Sequence, residues 1–111
     1  MMPDKGTILL VNDEEEFNRG LHRTFSCDGY TVLSSSSASS AMRMFEAKRP
    51  NAVILDLLLP DMDGIEVLRR FKKIDAAVGI VVLSGYASVH NAVQAMKLGA
   101  SDYIVKPFGS E

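Results

Sequence analysis

Asp56 is the one charged residue in the run Val53-Ile54-Leu55-Asp56-Leu57-Leu58-Leu59-Pro60. A carboxylate at the end of a buried strand is costly to desolvate, so it implies a partner or a chemical task. Other groups that could act with it stand far off in sequence: Asn12-Asp13 after Val11, Ser84-Gly85 after Leu83, and Lys106 after Val105. Two carboxylates, Asp13 and Asp56, with backbone carbonyls nearby suit Mg²⁺, a hard cation that takes oxygen ligands and keeps several waters. The Lys106 ammonium, the Ser84 hydroxyl and the Gly85 N–H would then surround the same point and hold the oxygens of a transferring phosphoryl group. Asp56 is left as the nucleophile, since a carboxylate can form an acyl phosphate. Taken singly, Asp56 reads as a turn residue, Asp13 as a helix cap, Ser84 as a turn serine and Lys106 as an exposed lysine. Only their convergence on one point gives them a common task.

The elements that must bring them together follow from hydrophobic patterning. Short apolar runs at Thr7–Val11, Tyr30–Leu33, Ala52–Leu55, Gly79–Leu83 and Asp102–Val105 predict five strands. Between them lie four helical patterns. Glu14, Glu15 and Glu16 suit a first turn and Phe17, Leu21 and Phe25 share one face, with Asp28-Gly29 as the stop. Six serines between Ser34 and Ser40 read as a loop and N-cap before Ala38, Ala41, Met42 and Phe45, and this helix stops before Pro50. Asp63 with Glu66 resembles a capping box ahead of the stripe Ile65, Leu68 and Phe71. Val89, Ala92, Val93 and Met96 form the last stripe, closed by Gly99. The order βαβαβαβαβ predicts a parallel sheet covered on both faces, with ligands at the carboxyl ends of its strands.

Composition excludes several other functions. The 111 residues carry a net charge of −2, which disfavours direct nucleic-acid contact by this segment. Cys27 is the only cysteine, so an internal disulfide is excluded and a reducing, cytoplasmic setting is expected. It reads as a small apolar filler near a helix end. His22 and His90 read as surface residues on helices. The first residues lack a signal-peptide core, and no apolar run reaches the roughly 20 residues needed to span a bilayer.

At these residues the chain resembles the receiver domain of bacterial two-component response regulators. The matching pieces are Ile8-Leu9-Leu10-Val11-Asn12-Asp13-Glu14, Ile54-Leu55-Asp56 with Leu59-Pro60-Asp61-Met62-Asp63-Gly64, Leu83-Ser84-Gly85-Tyr86, and Asp102-Tyr103-Ile104-Val105-Lys106-Pro107-Phe108. The helix stretch Gly85-Tyr86-Ala87-Ser88-Val89 through Ala95-Met96-Lys97-Leu98-Gly99-Ala100 looks most like receivers fused to transcriptional outputs, including the NtrC-like group. The resemblance implies a flavodoxin-like α/β fold with strand order 2-1-3-4-5, and residues 1–111 as one receiver domain whose fifth helix is absent from this chain. It implies phosphorylation of Asp56 by a sensor histidine kinase or phosphotransfer protein. Mg²⁺ would be held by Asp13, Asp56 and the backbone carbonyl of Leu58, with Asn12 reached through water. Ser84 and Lys106 would grip the phosphoryl oxygens, and Tyr103 would be the aromatic switch that turns inward with Ser84. The output domain or target lies outside this chain, and apolar surface left by the absent helix would favour a homodimer.

Asn12 departs from the family, which usually carries an acid there. One negative charge fewer beside the ion predicts weaker Mg²⁺ binding. Three functions remain in play. The first is a phosphorylation switch, relayed through Ser84 and Tyr103 to the face around the fourth helix and fifth strand. The second is an aspartyl-phosphate phosphatase, disfavoured because such enzymes carry a second Asp where this chain has Leu58. The third is a receiver-like scaffold with weak or no phosphorylation, to which Asn12 lends weight. On the first reading the domain is no enzyme beyond self-phosphorylation and slow autodephosphorylation, with Leu58 and Tyr86 hindering water.

Overall fold

The computed structural model describes residues 5–85 and 89–105, without the side chains of Val89 and His90. Nine elements follow in strict alternation: β1 (Thr7–Val11), α1 (Glu15–Cys27), β2 (Thr31–Ser35), α2 (Ala38–Lys48), β3 (Ala52–Asp56), α3 (Gly64–Ile74), β4 (Gly79–Ser84), α4 (Val89–Lys97) and β5 (Asp102–Val105). All four strand pairings are parallel and the sheet order is β2-β1-β3-β4-β5. This is the expected α/β flavodoxin-like topology. Strands β1 and β3 are covered on both faces, which is why they read as unbroken apolar runs.

Alternate strand residues feed two cores. Leu9, Val11, Val53 and Leu55 face α2 and α3, where Phe45 and Phe71 stack with centroids 4.1 Å apart. Ile8, Leu10 and Val32 face the other way, with Leu21 and Phe25 of α1 packed on them.

Several local expectations need correction. Strand β2 runs on through Ser34 and Ser35, because these pair with Leu10 and Val11 of β1; the serine run is loop only from Ser36. Ser37 is the N-cap of α2, accepting from the Ser40 N–H. Strands β3 and β4 include Asp56 and Ser84 themselves. Asp63 caps α3 by accepting from the Ile65 N–H at 3.0 Å. The reciprocal half of the capping box does not form, since the Glu66 carboxylate is drawn to Arg69 and Arg70. On α3, Val67 is buried and Ile65 only half-buried. Among the described side chains of α4 the buried one is Ala95, whereas Val93 and Met96 are 47% and 48% exposed. A nine-residue helix with apolar residues on more than one side does not declare which side faces in. Cys27, the last residue of α1, is exposed and is not a core filler. His22 is on the surface as expected.

Candidate functional site

The register of the sheet decides which chemical groups meet. Val11, Leu55, Val82 and Tyr103 form one row across β1, β3, β4 and β5. One residue further along stand Asn12, Asp56, Leu83 and Ile104, and the next row pairs Ser84 with Val105. Asn12, Asp56 and Ser84 are therefore gathered at the carboxyl edge of three adjacent strands. All three are nearly buried, at 2%, 3% and 5% exposure. Asp13 follows Asn12 at the same edge and is exposed. Lys106 and Tyr86 lie outside the described residues.

The segment after Asp56 is folded tightly back on it. The Leu57 N–H donates to the Leu83 carbonyl at 3.1 Å, and the Leu58 N–H donates to Asp56 Oδ1 at 3.0 Å. The Gly64 N–H donates to the Leu57 carbonyl at 3.0 Å, and Leu58 bridges Asp63. This close approach is what requires glycine at 64: an added Cβ would lie 2.4 Å from Leu57 Cα and 2.8 Å from the Asp56 carbonyl oxygen. At Gly85 nothing among the described residues comes within 4 Å of an added Cβ. Beside Ser84 opens a hollow of about 260 Å³, lined by Leu57, Leu59, Met62, Ile65 and Asn91 among others. The Leu58 side chain is 72% exposed.

Asn12 is held by its backbone and its side chain. Its N–H donates to the Ser35 carbonyl at 3.0 Å, and its Oδ1 accepts from the Glu14 N–H at 2.8 Å. Its carbonyl accepts from Asn18 Nδ2 at 2.6 Å. Asn12 Nδ2 and Asn18 Oδ1 are buried with no partner among the described residues. Asn18, the one buried residue of α1, carries no apolar pattern to announce it. Tyr103 packs against the larger core, and its hydroxyl is likewise buried without a partner among the described residues.

Asp61 is the site-bearing loop's unforeseen contact. Its Oδ1 and Oδ2 accept from the Ala38 and Ser39 N–H groups of α2 at 2.8 and 3.0 Å. Those two backbone N–H groups hold the Asp61 carboxyl below its ordinary range. The contact spans 22 to 23 residues, so no local pattern signals it.

The donor set at this edge is all oxygen and amide: two carboxylates, a carboxamide and backbone carbonyls, with no group of three His, Cys, Asp or Glu among the described residues. That chemistry fits a hard divalent cation held partly through water, and not a soft metal.

A family model described as "Response regulator receiver domain" matches residues 8–111. A probable transcriptional regulator ycf27 of Porphyridium aerugineum is 38% identical over 104 residues, covering 94% of this chain and 43% of its own length. The chain spans less than half the length of the curated relatives it matches. A CheY-like receiver domain protein from Methanospirillum hungatei superposes with a TM-score of 0.88 at 30% identity, covering 93% of this chain and 82% of that one. A Burkholderia pseudomallei response regulator, solved with a phosphorylated aspartic acid, a calcium ion and citrate, gives 0.86 at 31% identity over 93% of this chain and 61% of that one.

Proposed function

The chain belongs to the response regulator receiver domain family, and on that premise we propose that it is a switch set by phosphorylation of Asp56. The observation that carries this reading is a nearly buried carboxylate at the end of β3, fixed by the Leu58 N–H beside the buried Ser84. An Asp56 oxygen attacks the phosphorus of a phosphohistidine on a partner kinase or phosphotransfer protein. The histidine nitrogen leaves, and an acyl phosphate remains. The Ser84 hydroxyl and Gly85 N–H donate to the new phosphoryl oxygens, and Lys106 pairs with them. Asp13, Asp56 and the Leu58 carbonyl would hold Mg²⁺, with Asn12 reached through water; the ion supplies neutralisation of charge on the transferring group.

Tyr103 supports a relay from the site to the α4–β5 face. It stands one row behind Asp56 and its hydroxyl is buried, while Val93 and Met96 of α4 and Ile104 and Val105 of β5 are exposed apolar residues. A change in this face alters what an output domain or target meets. A cytoplasmic setting accords with the composition; among the described residues no helix is long and apolar enough to cross a membrane.

Incubation with Mg²⁺ and acetyl phosphate tests the reading. The chain is expected to gain the mass of one base-labile phosphate, and Asp56→Ala to gain none. Continuous phosphate release would favour a phosphatase, and no modification a scaffold.

A further inference from the structure

We propose that Asp61 is a positioning residue for the phosphoacceptor: its carboxylate fastens the loop after Asp56 to the start of α2 and thereby keeps the Leu58 N–H on Asp56. This rests on the reading of Asp56 given above. The start of α2 has four backbone N–H groups without helical partners, as every helix does. Here Ala38 and Ser39 donate to Asp61, Ser40 donates to Ser37 Oγ, and Ser37 donates to Ser35 Oγ, while Ala41 makes the first helical bond, to the Ser37 carbonyl. Half of the cap is thus supplied from the catalytic loop rather than from the helix's own neighbourhood.

The base of that loop is already pinned by Leu57 to Leu83 and by Gly64 to Leu57. Asp61 adds a charged anchor to α2, as Asp63 does to α3. A carboxylate facing helix N–H groups is a charge-assisted contact, favoured further by the helix dipole. The same helix end is tied to the other side of the site. The Ser35 hydroxyl donates to the Ser37 carbonyl at 2.9 Å, and the Asn12 N–H donates to the Ser35 carbonyl. Asn12 and Asp56, neighbours across β1 and β3, are therefore joined a second time through Ser35, α2 and Asp61. Loosening Asp61 opens this ring on the Asp56 side alone.

Ser37→Ala provides the control, because it removes a cap from the same helix without touching the loop. The experiment compares wild type, Asp61→Ala, Asp61→Asn and Ser37→Ala by three readouts. These are amide hydrogen exchange at Leu58 and Gly64, the urea unfolding midpoint, and the initial rate of phosphorylation by acetyl phosphate with Mg²⁺. Asp61→Ala is expected to speed Leu58 exchange and slow phosphorylation, each by about tenfold, as loss of positioning does. Asp61→Asn, which keeps one acceptor, recovers part of both. Ser37→Ala lowers the midpoint but leaves Leu58 exchange and the rate near wild type. Equal effects in Ser37→Ala and Asp61→Ala, or an unchanged Leu58 exchange or phosphorylation rate in Asp61→Ala, overturn the proposal. A wild-type chain that takes no phosphate would instead sink the phosphoacceptor reading, with Leu58 exchange still deciding whether Asp61 fastens the loop.

Discussion

Gly64 and Leu57 pack backbone to backbone, so closely that a Cβ on the first would lie 2.4 Å from the Cα of the second. The contact brings the start of α3 up against the carbonyl of Asp56. Gly64→Ala must push that backbone apart, at a cost of about 2 kcal/mol or more. Urea unfolding should show the loss, and phosphorylation by acetyl phosphate should fall with it. A variant of unchanged stability would mean that the loop yields freely.

Asn12→Asp should tighten Mg²⁺ binding by about tenfold, the effect of one added charge a few ångströms from the ion in a partly solvated site. Its Oδ1 can keep the Glu14 N–H, while a second oxygen replaces the amide nitrogen that has no partner among the described residues. Calorimetric titration of both forms with Mg²⁺ checks this, and equal affinities would contradict it.

Tyr103→Phe removes a buried hydroxyl with no partner among the described residues. Stability should be unchanged or raised by up to about 1 kcal/mol, since no hydrogen bond to a described residue is lost and a desolvation cost is relieved. A thermal midpoint lowered by several degrees would reveal a partner for the hydroxyl.

Acid should weaken the fold through Glu66 and Asp61. Arg69 and Arg70 hold the Glu66 carboxyl down from its ordinary 4.5 to about 2, and the α2 N–H groups lower Asp61. Folded values below unfolded ones mean that both groups stabilise fully above the ordinary carboxylate range. For Glu66 that contribution is lost as pH falls from about 4.5 to about 2. Glu66→Gln should show a shallower decline in urea midpoint across this window. Added salt should shrink the difference, because the Arg69 and Arg70 pairs are partly exposed.

What could be read in advance was whatever repeats or stands out locally. The five apolar runs mark the strands, and Asp56 alone among leucines marks the strand end where Asn12 and Ser84 also lie. Strand ends were misjudged at Ser34, Ser35, Asp56 and Ser84, because polar residues continue a strand whenever a neighbour offers backbone partners. The α4 stripe misled for a different reason: Val93 and Met96 are apolar but face outward, while small Ala95 carries the packing. Asp61 was invisible as a cap, since its partners Ala38 and Ser39 belong to another βα unit. Asn18 was invisible because it is buried by polar bonding to Asn12 and not by apolar pattern.

A parallel sheet gives every helix the same polarity, and this fixes where the lone thiol lies. Helix α1 leaves β1 at the Asp56 edge and runs back, so Cys27 comes out at the opposite rim, near where the Lys5 N–H meets the Gly29 carbonyl. The side chain is exposed. A single dye or spin label attached there would sit at the far end of the domain from Asp56. It offers a ready-made spectroscopic ruler against which movement of α4 could be measured without disturbing the chemistry.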